Sequence, residues 1–338
     1  MGWIAYVSAI SSSAAVIVGL TAAVGPALDM GPTPQRIAAT TLAAMLALLC
    51  ARGLRLSAWT WTALTALKLV PLCALAIVFL VAPGPKVVPS LSASGGSWAS
   101  AALIAVFTYQ GFEIVPVLAG RARRPTFSVP LATLGSLALA SVLYAILQAA
   151  CTWTVPRLAE SHAPLVDAAT ALGGPPLAAL VGAGTSLSAL GIAFGMMAAT
   201  PFYLAALARV DALGMGLPVV NDRGVPRRAL LVTWALVTLL IQIGGRSELF
   251  ALSSIAVLTQ YLVTAAALGA LALRRQRALH AGHAALAVPA GILSLALTAG
   301  ASAGEARVAA IALVAGLAGR AALKRRRISA APETPALR

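Results

Sequence analysis

Charge is what this 338-residue sequence has least of: charged residues make up 10%, with nine acids against 24 bases. A soluble domain carries roughly 25% charged residues. Hydrophobic residues instead reach 60% and the mean hydropathy is +0.93, which fits a polytopic membrane protein and excludes a soluble globular one. Cysteine is scarce too. Cys50, Cys73 and Cys151 lie apart in apolar segments, so they form neither a disulfide frame nor a metal-ligand spacing. Three histidines do no better: His162 stands alone, and His280 and His283 have no third ligand near them. Phosphate-binding loops, nucleophile elbows and kinase signatures are missing. The sequence therefore reads as a non-enzyme with no cofactor and no metal. Aromatics make up 5% and do not interleave with basic runs, so the net charge of +15 reads as membrane topology rather than nucleic-acid binding. Met1 opens straight into an apolar run, without the basic leader of a cleaved signal peptide.

What is present is a series of ten apolar segments, near 3–25, 37–51, 60–82, 97–120, 129–154, 176–208, 229–245, 249–273, 284–300 and 308–323. These are expected to be transmembrane helices, about 20 residues being enough to cross the hydrocarbon. Basic residues cluster in alternate loops. One set holds Arg52 and Arg55, then Arg121, Arg123 and Arg124, then Arg209 with Arg223, Arg227 and Arg228, then Arg274, Arg275 and Arg277. The C-terminal end adds a further basic run, KRRR at 324–327. Intervening loops carry one base each, namely Arg36, Lys86, Arg157, Arg246 and Arg307. Positively charged loops stay cytoplasmic, so both termini are expected inside a plasma membrane. The basic tail is expected to touch anionic lipid.

One acid and one base fall well inside these segments, Glu113 and Lys68. Such a group costs at least ~2.5–3.5 kcal/mol unless paired or hydrated, which makes both functional candidates. Lys68 also sits close enough to the start of its segment to snorkel. Glu113 lies in SWASAALIAVFTYQGFEIVPVLAG, residues 97–120, whose middle breaks the rules for a spanning helix. Thr108, Tyr109, Gln110 and Gly111 cluster near its midpoint, and Pro116 follows. Gly111 weakens the helix and Pro116 has no N–H for the carbonyl of Phe112. A break of this kind in hydrocarbon survives only against protein or a water-filled cavity, and many transporters build their substrate site at one. The competing reading is a kinked packing helix with Glu113 tied to a neighbour.

FTYQGFEIVPVLAG followed by RARRPTFSVPLA resembles the amino acid–polyamine–organocation (APC) superfamily of amino acid permeases. In that family the sixth helix carries a similar aromatic-x-x-x-Gly-Phe-Glu break before a short basic loop ending in Val-Pro. RGLRLSAWTWTALTALKLVPL, residues 52–72, looks like the family's fourth-to-fifth loop and fifth helix, with Lys68 on its recurring lysine. HAPLVDAATALGG, residues 162–174, is similar to the outer loop before the eighth helix. FYLAALARVDALGMGLP and NDRGVPRRALL are similar to the end of the eighth helix and the start of the ninth.

The resemblance implies an all-α membrane protein with a LeuT-like, broken-helix, five-plus-five inverted-repeat fold. It also implies a secondary transporter of an amino acid or related amine. On this register residues 1–82 hold the family's helices three to five, 83–97 an outer loop, 98–273 helices six to ten with unwinding at 107–112, 274–323 the last two helices, and 324–338 a cytoplasmic tail. Three segments precede the broken helix where the family has five, so the sequence reads as N-terminally truncated. The alternative function is accordingly a non-transporting remnant or partner-dependent subunit. Substrate contacts carried over from the family are Phe107, Thr108, Tyr109, Gln110 and Gly111, with Glu113 and Lys68 as coupling or gating residues and the proton as coupling ion or exchange as mechanism. A half-helix entering the site by its C-terminal end favours a substrate ammonium, near the carbonyls of Val106 and Phe107. GMMAATP, residues 195–201, reads as a weaker break, and Met196 and Met197 as core packing first, with lining of the cavity as the alternative.

Overall fold

A computed structural model describes residues 2–53, 58–82, 97–112, 124–211, 216–274 and 281–329. Ten α-helices are seen among them: α1 (Gly2–Val24), α2 (Pro32–Ala51), α3 (Ala58–Val81), α4 (Trp98–Thr108), α5 (Pro125–Thr154), α6 (Pro164–Asp211), α7 (Arg227–Ile243), α8 (Arg246–Leu273), α9 (Ala281–Thr298) and α10 (Ala303–Ser329). Each overlaps one of the ten apolar segments. By length and composition, six (α1, α2, α3, α5, α6 and α8) can cross a membrane, while α4 and α9 are apolar but shorter. The chain is an integral membrane protein of helices.

Local chemistry explains several ends that hydropathy alone misplaces. Pro32 starts α2 five residues before its apolar run, because proline fits the first helical turn, where its missing N–H has no partner to lose. At α10, Ser302 and Glu305 cap each other: the Ser302 N–H donates to Glu305 Oε2 at 2.8 Å, and the Glu305 N–H to Ser302 Oγ at 3.3 Å. That helix then continues through the basic run, since Lys and Arg are good helix formers and suit the negative end of the helix dipole. Residues 164–173, expected in an outer loop, are helical instead. They form the first part of α6, which bends at Gly174 (φ 66°, ψ −164°) and resumes at Pro175 and Pro176. Beyond that bend α6 is helical throughout, so GMMAATP makes no break.

Buried side chains fall into three clusters. The largest joins α1, α2, α6 and α7, with Tyr6, Ile17, Ala43, Met197 and Val237 at its heart. A second packs Leu103 of α4 against Ala251, Leu252, Ile255 and Leu258 of α8. The third is small and joins α3, α5 and α6 through Leu75, Leu147 and Val181. Small residues permit the closest helix contacts. A Cβ at Gly184 of α6 would lie 2.2 Å from the ring of Pro71 in α3, and one at Gly300 would lie 2.0 Å from the Ala99 carbonyl oxygen. Ser100 Oγ secures that second crossing by donating to the Gly300 carbonyl at 2.9 Å.

Candidate functional site

The helix that opens the site is short. Ser97 caps α4, its side chain accepting from the Ser100 N–H, and the helix ends eleven residues later at Thr108. Tyr109 and Gln110 close it with tight turns, their N–H groups donating to the carbonyls of Val106 and Phe107 at 3.2 Å each. Thr108 Oγ1 donates back to the Ala105 carbonyl at 2.7 Å, and the Thr108 carbonyl accepts from Tyr144 Oη at 3.2 Å. All four terminal carbonyls therefore have a donor, and each keeps a second lone pair. Gly111 follows at φ +116°, a backbone conformation open to glycine and strained for any other residue. Among the described residues, and leaving aside its two chain neighbours, no atom lies within 4 Å of the place where a Cβ at Gly111 would sit, so the conformation, not crowding by them, selects glycine here.

These residues face a cavity of about 1410 Å³ between α1, α3, α4, α5 and α6. Phe107 to Gly111 all line it, and so does Lys68 of α3. Glu113 lies outside the described residues. Phe107 is anchored by Phe250 of α8, with ring centroids 4.6 Å apart, and Tyr109 meets Tyr144 edge-on at 5.4 Å. Lys68 is ten residues into α3, about 15 Å along the axis at 1.5 Å per residue. It lines the cavity half-buried.

Gln110 ties the end of α4 to the interior. Its Oε1 accepts from Ser12 Oγ of α1 at 3.1 Å and from Ser253 Oγ of α8 at 2.9 Å, and the two serine hydroxyls also touch each other. Two hydroxyl protons serve three oxygens here, so only two of the three contacts carry a hydrogen at one time. Gln110 Nε2 meanwhile is buried without a partner, an omission that typically costs about 1–3 kcal/mol. The junction is thus tightly placed yet incompletely satisfied, on the edge of the cavity.

Other lining residues lie outside the reach of the sequence reading. Tyr144 and Gln148 project from α5 one turn apart, and Thr200 and Tyr203 come from α6. Tyr144 and Gln148 carry the helical i, i+4 spacing of one face, a signal that becomes readable once that face is known to line a cavity. The two methionines divide. Met197 is fully buried in the main core as expected, whereas Met196 lines the cavity. Consecutive helical residues point about 100° apart, so one side chain enters the core and its neighbour faces the opening. Among the described residues, no group of three or more His, Cys, Asp or Glu side chains is placed to hold a metal ion.

A family model described as amino acid permease matches residues 1–311. The chain belongs to the amino acid permeases. That match spans α1 to α9 and the start of α10, and so includes every helix that borders the cavity. No curated protein matches this permease-family chain.

Proposed function

We propose that this permease-family protein is a secondary active transporter that moves an amino acid or related amine across the plasma membrane. The observation that carries the reading is the end of α4 at Thr108, followed by Gly111 at φ +116°, on the wall of a large cavity. A helix C-terminus carries about half a negative charge and attracts a cation, and here each terminal carbonyl keeps a second lone pair. Phe107 and Tyr109 supply rings for an apolar side chain or a cation–π contact, and Thr108 and Gln110 supply polar atoms. The fold reading that goes with this is ten membrane-spanning helices in the broken-helix inverted-repeat arrangement, with both termini cytoplasmic.

Coupling is assigned to protons or to exchange, with Glu113 and Lys68 as its residues. Uptake of a labelled amino acid into proteoliposomes, with and without an imposed proton gradient or internal amino acid, tests the whole reading. The expected result is accumulation driven by one of the two. No uptake of any amino acid under either condition would overturn it.

A further inference from the structure

Beside the large cavity lies a second, of about 460 Å³, between α2, α3 and α6. That volume is in the range of small-molecule sites, roughly 300–1,000 Å³. Its wall is mostly apolar, with Met45 and Leu49 from α2, Leu64 from α3, and Leu187, Leu190 and Phe194 from α6. Among the described residues its polar members are Thr65, Ser188 and Lys68, and Lys68 alone is charged. Leu64 and Lys68 stand one turn apart on the same face of α3, about 6 Å along the axis. One turn further, the ring of Pro71 packs on Gly184, so α3 and α6 pinch together beyond Lys68 and bound the cavity at that end. Met45 and Leu190 are exposed, so the cavity reaches the outer surface, which in an integral membrane protein faces lipid. No described carboxylate lines this cavity or the larger one, with which it shares Lys68, Ile192, Gly195 and Met196. An ammonium so placed is costly until an anion pairs with it.

We propose that the smaller cavity binds a medium-chain fatty acid that enters from the bilayer, with its carboxylate on the Lys68 ammonium and its chain among Met45, Leu49, Leu64 and Phe194. Charge complementarity selects the head. The wall offers one cation and no described acid, so a carboxylate is matched, an alcohol unmatched and a quaternary ammonium repelled. Volume selects the tail. At ~30 Å³ per water-sized group, 460 Å³ holds about fifteen, enough for one chain of ten carbons with its carboxylate and too few for a two-chain phospholipid. Lys68 also lines the larger cavity, so a bound carboxylate cancels charge presented there, and this side chain links the two spaces. The site stands on the smaller cavity itself and not on the transport reading.

The test is photolabelling of the full chain in phosphatidylcholine vesicles by a decanoate bearing a diazirine near its tail, with the labelled peptides read by mass spectrometry. Label is expected on the α2 and α6 residues of this wall. Unlabelled decanoate should compete roughly tenfold or more better than decanol at equal mole fraction in the bilayer, the range for one charge-assisted hydrogen bond. Decyltrimethylammonium should compete worst. Lys68→Met should erase the preference for decanoate over decanol, and Lys68→Arg should keep most of it, which guards against a folding artefact. Gly191 gives a second test that leaves Lys68 in place. It lies on the wall, and beyond its chain neighbours and nearby helix backbone no described atom comes within 4 Å of a Cβ there, so a larger side chain grows into the cavity. Gly191→Ala, Gly191→Leu and Gly191→Phe should reduce labelling by increasing amounts in that order. Labelling that ignores the Gly191 series, or decanoate and decanol competing alike in wild type, would overturn the proposal. So would a Lys68→Met protein that still prefers decanoate, or no label on these helices because phospholipid tails fill the space.

Discussion

Two sides of this molecule are built on different terms. Half of the apolar span of α1 is buried inside the protein, while none of the most apolar stretch of α5 is. Helix α1 sits among α2, α6, α7 and α8 and is rich in small residues. Ser11, Ser12, Ser13, Ala14 and Ala15 are all buried, so neighbouring backbones come close. Helix α5 shows Leu131, Leu134, Leu139 and Val142 to the exterior and buries little beyond Leu147, Ala150 and Cys151. With α3 it packs on α6 through a small cluster. Both sides contribute to the cavity wall, but the first is packed as a scaffold and the second is held by few buried side chains. The end of α4 lies between them, tied to the scaffold by Gln110 and to the wall by Tyr144. Parts that must move are drawn from the less buried, less densely packed end of a structure, and the contrast here follows that rule.

The sharpest way to break the comparison is a pair of adjacent substitutions. Met197→Ala should cost about 2–5 kcal/mol, because it opens a cavity in the largest core. Met196→Ala, one residue earlier and on the cavity wall, should cost well under that and alter uptake instead. Thermal denaturation of the two purified variants would show it, and equal losses would remove the distinction between scaffold and wall. Gly111→Leu comes next, with about 1–3 kcal/mol of local backbone strain at the φ of +116°. It should abolish binding while leaving expression intact, since no described residue beyond its chain neighbours crowds the position. Unimpaired binding would detach the site from this turn.

Gln110→Ala probes the tie to the scaffold. It removes an acceptor from Ser12 and Ser253 and, with it, the buried unpaired Nε2, so the two effects oppose each other. Stability should change by less than about 1 kcal/mol, while transport falls because α4 loses its register on α1 and α8. A large loss of stability without loss of transport would make the tie purely structural. Tyr144→Phe is expected to have the smallest effect on transport, a modest change in the rate of uptake, since it removes one hydrogen bond to the Thr108 carbonyl, worth about 0.5–1.5 kcal/mol.

Much of this contrast was legible in the residues themselves. Ten apolar runs mark ten helices because backbone groups in hydrocarbon must bond within their own helix. Thr108 to Gly111 announced themselves as four polar or glycine residues in the middle of an apolar stretch, and α4 does end among them. What could not be read is which distant residues meet there. Ser12 and Ser253 are 241 positions apart and look like ordinary small helix residues until α1 and α8 are packed. Tyr144 carries no signal of its own in the sequence, and the approach of Thr108 gives its hydroxyl a partner. Residues 164–173 are expected in a loop because HAPLVDAATALGG is similar to the family's outer loop before the eighth helix. The structure spends that sequence on a bend between two helical stretches. Met196 and Met197 share chemistry and differ in direction alone, which one-dimensional hydropathy does not record.

The central claim is that substrate occupies the cavity at the end of α4. The most direct measurement places a cysteine at Thr108, which is exposed on that wall, after Cys50, Cys73 and Cys151 are replaced by alanine. Its reaction with a small thiol reagent is then followed in proteoliposomes with and without a transported amino acid. A cysteine at Leu134 on the outer face of α5 serves as control. The account predicts that the amino acid slows labelling at position 108 several-fold and leaves position 134 untouched. Equal labelling at 108 with and without the amino acid, in a protein that still transports it, would contradict the account.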